Sequence, residues 1–399
     1  MRILLCTMRA VYFPNLNGLR FIAALWVIIH HIEQIKLIFK VDNYWHLPFV
    51  DLIGKLGVVL FFVLSGFLIT YLLLQERAVT GTIAIRHFYL RRVLRIWPLY
   101  YFIVCLGLFV LPAISFFDIP IYSDLLHRSF LIKVVLFFVI LPNLVATPVP
   151  HINQTWSIGV EEQFYAFWPL LMKKVGHPLR VALGTIIVYL VIKFGLLSLT
   201  SLGVTNQAIS FIAKFWNSFN VDCMAIGGVI AWALFYRREG LLRVLFNRWL
   251  QAAVYLLTAV MIFRGIEIPY LHQETYACLF AVIILNLAAN KQTLIRLEHP
   301  VLHYLGKISF GIYMYHMIAI VIAFKLLQPH FPGNNWLLYS ASILLTILLA
   351  AASYEWFERR FIKAKIKYSK VVSGDNIAEP TVNKSDASDA VVPTLTNLK

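Results

Sequence analysis

The sequence predicts an all-α fold, a polytopic transmembrane helical bundle of about ten spans, and three observations carry that expectation. Of 399 residues, 60% are hydrophobic and only 14% are charged, against roughly 45–50% apolar content in soluble domains. Mean hydropathy is +0.76. Apolar windows approaching the roughly 20 residues that cross a bilayer recur along the chain. They are too uniformly apolar for the alternating strands of a barrel, which leaves helices, whose backbone polar groups are satisfied within the segment.

Taken in order, the windows predict spans at 19–39, 54–74, 94–112, 157–172, 179–199, 217–236, 250–263, 275–287, 308–327 and 336–356, with a further apolar piece at 130–145. Charge assigns the connections. Arg77, Arg86, Arg91, Arg92 and Arg95 lie between the second and third windows, and cytoplasmic loops retain Lys and Arg. The same rule puts Lys173, Lys174 and Arg180 inside, with Arg237, Arg238, Arg243 and Arg248, with Lys291 and Arg296, and with the cluster from Arg359 to Lys367. Both ends of 130–145 then fall on the far side, so that piece is expected to be re-entrant or interfacial. An eleven-span arrangement would put Lys173 and Lys174, or the C-terminal lysines, outside.

Residues 1–368 are expected to form one membrane domain, and 369–399, rich in Ser, Asp, Asn, Thr, Val and Pro, a disordered cytoplasmic tail. The N-terminal apolar run is too short for a cleaved signal peptide, so the first span is expected to remain. The net charge of +16 is spread between hydrophobic windows, which favours a lipid bilayer over nucleic acid as the partner. Cys6, Cys105, Cys223 and Cys278 are far apart, without metal-ligand spacing, and no metal is expected. Asn153-Gln154-Thr155 and Asn383-Lys384-Ser385 match the weak glycosylation pattern.

Several polar residues stand where lipid makes them costly. His30, His31, Glu33 and Gln34 follow the apolar stretch of the first span. The step from Arg20 to His31 turns a helix almost a whole number of times, so both share a face roughly 16 Å apart, with His30 about 100° away. A lone buried histidine is usually a packed one. One in phase with an arginine, near mid-bilayer, has the proton affinity that a general base needs. Ser65 and Gly66 in the second span suit either a hydrogen bond into the same cavity or close helix packing.

Arg92 and Arg95 share a helix face and can grip a polyanion, while Trp97, Tyr100 and Tyr101 offer stacking surfaces. A topology signal with an aromatic belt explains the same residues. Glu161 and Glu162 fit an opening helical turn, or, with Trp156, Tyr165 and Trp168, a sugar-binding mouth on the far side. His316 in the ninth span reads as a structural histidine or a secondary polar contact.

Five segments in one order, LNGLRFIAALWVIIHH, VVLFFVLSGFLIT, FYLRRVLRIWP, TWSIGVEEQFYAFWPLL and KISFGIYMYH, resemble the acyltransferase 3 family of membrane-bound acyltransferases over about 13–361. The family's pattern of a basic residue and a histidine falls on Arg20 and His31, its paired arginines on Arg92 and Arg95, and its serine-glycine-phenylalanine element on Ser65, Gly66 and Phe67. Asn17 departs from it, since relatives commonly carry an acid there. The resemblance implies transfer of an acyl group, most often acetyl, from cytoplasmic acyl-CoA to a hydroxyl of a surface or secreted carbohydrate or glycolipid. Acyl-CoA is then a co-substrate, with no permanently bound cofactor.

On that basis His31, Arg20 and Glu161 are the expected catalytic residues. Arg91, Arg92 and Arg95 are the expected acyl-CoA contacts, and Ser65, Trp156, Glu162, Tyr165 and His316 the expected substrate pocket. Direct transfer is expected rather than an acyl-histidine, and a bacterial inner membrane with both termini cytoplasmic. Some members of that family carry an appended esterase-like domain; the chain ends without one, so no second processing activity is expected. A transporter or flippase for a glycan or lipid-linked intermediate would also need intramembrane polar groups, but predicts inverted repeats that the sequence lacks. A non-catalytic scaffold would tolerate loss of His31.

Overall fold

In the computed structural model the described residues are 9–120, 129–203 and 206–373. Most of the tail expected from 369 onward, Cys6 and Asn383 lie outside them. The chain opens with β1 (Arg9–Val11), α1 (Leu16–Ile38), α2 (Pro48–Thr80) and α3 (Ile85–Cys105), the last continuing through a wider turn and a tighter one to Ala113. A short α4 (Phe130–Phe138) precedes α5 (Trp156–Val175), α6 (Pro178–Ser201), α7 (Gln207–Phe219) and α8 (Val221–Phe235). Then come α9 (Glu239–Leu245), α10 (Arg248–Phe263), α11 (His272–Ala289) and α12 (Pro300–Lys307). The last are α13 (Ser309–Leu327), α14 (Asn335–Ser353), α15 (Arg359–Ile366) and β2 (Val371–Ser373).

The protein is all-α apart from β1 and β2, which pair in parallel. Each predicted window falls on a helix, but the expected ten spans are not all of spanning character. Among the described residues, seven helices are long and apolar enough to cross a membrane, or eight if α9 and α10, bent by 56°, form one broken span. The shortfall has a physical cause. α5 carries Glu161, Glu162, Lys173 and Lys174, and α11 opens on His272, Gln273 and Glu274. The sixth window begins earlier than expected, because 217–219 belong to α7 and the chain turns at Asn220, φ 38°.

The extra piece at 130–145 yields a helix of only nine residues, about 13 Å long and too short to span. Leu131, Ile132 and Val135 expose their side chains. Large apolar residues are also exposed along α6 at Ile187, Val188 and Val191, along α10 at Leu256, and along α14 at Leu344 and Leu348. Such surface is costly in water and suits lipid, so the chain is an integral membrane protein. The parallel pairing of β1 with β2 brings the two ends of the bundle together.

The centre of the bundle is α2, 33 residues long and the most enclosed of the spanning helices. It crosses α8 where both lack side chains. A Cβ on Gly66 would lie 1.8 Å from the Met224 carbonyl oxygen, and one on Gly227 would lie 2.1 Å from that of Val63. Close packing of this kind drives helix association in lipid, so Gly66 is a packing residue. Several buried charges elsewhere in the bundle are paired. Glu33 accepts from Lys36 (2.8 Å), Tyr339 Oη (2.6 Å) and the Tyr44 amide, and Lys193 donates to Glu274 (2.6 Å). His30 packs on Gly54 and lies 3.0 Å from the Val50 carbonyl.

Gly66→Ala is expected to force α2 and α8 apart, costing about 1–3 kcal/mol. Gly184→Ala, on an open face, should leave the midpoint unchanged or raise it; thermal unfolding of the purified protein in detergent checks both.

Candidate active site

Four helices bring basic side chains to one end of the bundle. Arg20 of α1, Arg92 and Arg95 of α3, Lys307 closing α12 and Lys365 of α15 line a cavity of about 700 Å³ with Ser65, Tyr165 and Tyr354. Arg20, Ser65, Arg92, Arg95 and Tyr165 are shared with an adjoining hollow of about 770 Å³ that runs on to Val58, Phe61, Ser157 and Tyr313. The i, i+3 spacing of Arg92 and Arg95 puts both on one helix face, as expected.

The floor of this cavity is a polar cluster. Glu161 accepts from Ser65 Oγ (3.1 Å) and from Tyr165 Oη (3.0 Å). The Arg92 guanidinium lies over the rings of Tyr165 (5.3 Å) and Phe88 (5.6 Å), and its Nε is buried without a hydrogen-bond partner. A buried guanidinium held by π-faces while a donor stays unmet is suited to an anion. Arg20 donates to Asn17 Oδ1 at 2.8 Å, so an amide oxygen orients Arg20.

His31 opens on a second, smaller cavity of about 350 Å³, lined by Gln34, Pro148, His151, Asn153, Gln154 and Met317 among others. Its Nδ1 lies 2.8 Å from the Val27 carbonyl oxygen and 3.2 Å from His316 Nε2, and His316 Nδ1 lies 2.6 Å from the Tyr313 carbonyl oxygen. Between this cavity and the arginine-lined one stand Tyr313, Ser157 and Gln154. The Tyr313 hydroxyl donates to the Gln154 carbonyl (2.9 Å) and lies 2.7 Å from Ser157 Oγ. Among the described residues no group of three or more His, Cys, Asp or Glu is placed to hold a metal.

The structure gathers some of the predicted residues and separates others. Arg20, Ser65, Arg92, Arg95, Glu161 and Tyr165 meet in one cavity. Glu161 therefore faces the arginines, not the far-side mouth expected from its position near the start of α5. Arg91 is engaged elsewhere, in an ion pair with Glu76 (2.7 Å) and a bond to the Tyr368 carbonyl (2.8 Å). Glu162 accepts from Trp97 Nε1 (3.0 Å), and Trp156 packs edge-on against Phe62. His316 is fully buried against His31.

Sequence reasoning did not single out Lys307, Lys365, Tyr313, Ser157, His151 or Gln154. Lys307 and Tyr313 stand in the KISFGIYMYH segment, and Lys365 in a basic cluster that also signals topology. His151, Gln154 and Ser157 sit in the HINQTWS approach to α5, where only the acids and aromatics were conspicuous.

A protein of Staphylococcus aureus (strain COL), named provisionally as an O-acetyltransferase, is 26% identical over 381 residues, which cover 89% of this chain and 58% of the relative. O-acetyltransferase OatA of Staphylococcus aureus (strain NCTC 8325 / PS 47) is 26% identical over 375 residues with the same coverage. The chain thus spans somewhat more than half the length of these relatives. No solved structure matches it. A family model described as an acyltransferase domain, acyltransferase 3, matches residues 13–355, and the chain belongs to that family.

Proposed function

We propose that this protein moves an acyl group, most simply acetyl, from acyl-CoA held in the arginine-lined cavity to a carbohydrate hydroxyl held in the His31 cavity. The observation that carries this reading is two cavities of different chemistry on either side of one wall. Five cationic side chains line the first, as phosphates require, and one imidazole opens on the second, as a proton acceptor requires. The cytoplasm supplies acyl-CoA, so the basic end faces inward, with both termini cytoplasmic. A bacterial inner membrane accords with the surface glycans that such enzymes modify.

The tautomers follow from hydrogen-bond bookkeeping. His316 Nδ1 faces a carbonyl, so it carries the hydrogen, and in the neutral ring its Nε2 is a lone pair. That lone pair and the Val27 carbonyl both face His31 Nδ1, which therefore carries the hydrogen as well. Nε2 of His31 is left as the base. The acceptor hydroxyl gives its proton to this Nε2 as its oxygen bonds to the thioester carbonyl carbon. The C–S bond breaks, and His31 returns the proton to the CoA thiolate.

Arg92 and Arg95 hold the CoA phosphates, with Arg20, Lys307 and Lys365 around them. Glu161 is a positioning residue: it fixes Ser65 and Tyr165, and the Tyr165 ring supports Arg92. For the acyl end to reach the acceptor, Tyr313 has to release Gln154 or Ser157. Arg91, already paired with Glu76, acts on stability more than on the donor.

In membrane vesicles supplied with [14C]acetyl-CoA, His31→Ala is expected to lower acetyl transfer to envelope glycan by about 10²-fold or more. A folded variant retaining full transfer would overturn the role of His31. Arg92→Ala is expected to raise KM for acetyl-CoA about tenfold or more, yet to change KM for acetyl-pantetheine, which lacks the nucleotide phosphates, little. Equal effects on the two donors would remove Arg92 from phosphate binding.

A further inference from the structure

The cavity onto which His31 opens contains two hydrogen-bond acceptors that no described residue meets. Gln154 is buried and its Nε2 donates twice, to the carbonyls of His151 (3.0 Å) and Met314 (3.0 Å). A reversed amide would set oxygen against two carbonyl oxygens, so the orientation is fixed. Its Oε1 then remains buried without a partner among the described residues. His151 is buried too, and its Nε2 lies 2.9 Å from the Phe117 carbonyl oxygen. Nε2 thus carries the hydrogen, which leaves Nδ1 as a lone pair, also without a partner. Burial lowers the His151 imidazole to about 4, so the ring is neutral near pH 7 and Nδ1 stays an acceptor.

Buried acceptors without donors cost stability, and native proteins keep few of them. Here two occur three residues apart, on side chains that share a small cavity with the base of the proposed reaction. A ligand matching both has to bring donors, and O–H groups are the donors of a neutral polyol. Resting on the proposed transfer reaction, we infer that His151 and Gln154 form the acceptor-binding subsite: His151 Nδ1 and Gln154 Oε1 accept hydrogen bonds from hydroxyls neighbouring the one that His31 deprotonates. The subsite makes no bond to the transferred group; it holds a polyhydroxylated acceptor so that one oxygen reaches His31 Nε2.

Two substitutions of His151 separate this role from a structural one. In His151→Gln the terminal amide can still donate to the Phe117 carbonyl, but no acceptor remains at the Nδ1 position. In His151→Asn the side-chain oxygen keeps an acceptor near Nδ1, while the bond to Phe117 is lost. In membrane vesicles with [14C]acetyl-CoA, His151→Gln and Gln154→Leu are expected to lower acetyl transfer to endogenous envelope glycan at least about tenfold. KM for acetyl-CoA should stay within about twofold, since the donor cavity is intact, and His151→Asn should keep most of the transfer. The inference is overturned if His151→Gln transfers at the wild-type rate, or if His151→Asn loses as much as His151→Gln, the pattern of a structural anchor. His31→Ala in the same assay keeps the two readings apart. If it stays active, the transfer chemistry at His31 fails; if it is inactive while His151→Gln is fully active, only the subsite fails.

Discussion

A charged or polar group inside an apolar helix bundle has to be met by a partner, and this requirement organises the whole interior. Most of the buried ions meet it locally. Glu33 is surrounded by Lys36, Tyr339 and the Tyr44 amide, Lys193 is paired with Glu274, and Arg91 with Glu76. Such pairs hold helices in register. Among the groups left unmet, three line the two cavities: Nε of Arg92 in the basic cavity, and Nδ1 of His151 and Oε1 of Gln154 beside His31. One set lacks an acceptor and the other lacks donors, the polarity difference on which the proposed assignment of a phosphate-bearing donor and a hydroxyl-bearing acceptor rests.

The helix packing explains how both sets come to lie in one bundle. The bare crossing of α2 and α8 at Gly66 and Gly227 lets backbones approach closely, leaving Ser65, one residue away, on the cavity side where it bonds Glu161. α13 supplies the wall and the histidine together. Tyr313 closes the space between the cavities with its hydroxyl and holds His316 with its carbonyl, and His316 in turn fixes His31. A single turn of one helix therefore both closes the space between the two cavities and holds the His31 imidazole.

The bundle was legible because lipid restricts a chain so strongly that length, hydropathy and the distribution of Lys and Arg nearly define it. Departures came where polar residues interrupt a window. α5 holds two glutamates and α11 opens on three polar residues, so neither has the apolar length of a span, and Asn220 turns the chain within the sixth window. In the site, the in-phase reading of Arg20 and His31 put both on the face that meets α13, and Arg92 with Arg95 share the basic cavity through their helical spacing. The side on which Glu161 works was not legible, because a residue's depth along its helix does not say which neighbours surround it.

By itself, then, the sequence determined the all-α membrane fold, the basic end of the bundle and the residue types able to carry chemistry, since those follow from hydropathy, period and charge within single segments. The tertiary structure alone decided which of three neighbouring arginines is already spent on a carboxylate, that two histidines 285 residues apart meet at 3.2 Å, and that Gln154 and His151 keep acceptors unmet. Those outcomes depend on contacts between helices distant in the chain, and hydrogen-bond satisfaction is a property of the packed whole.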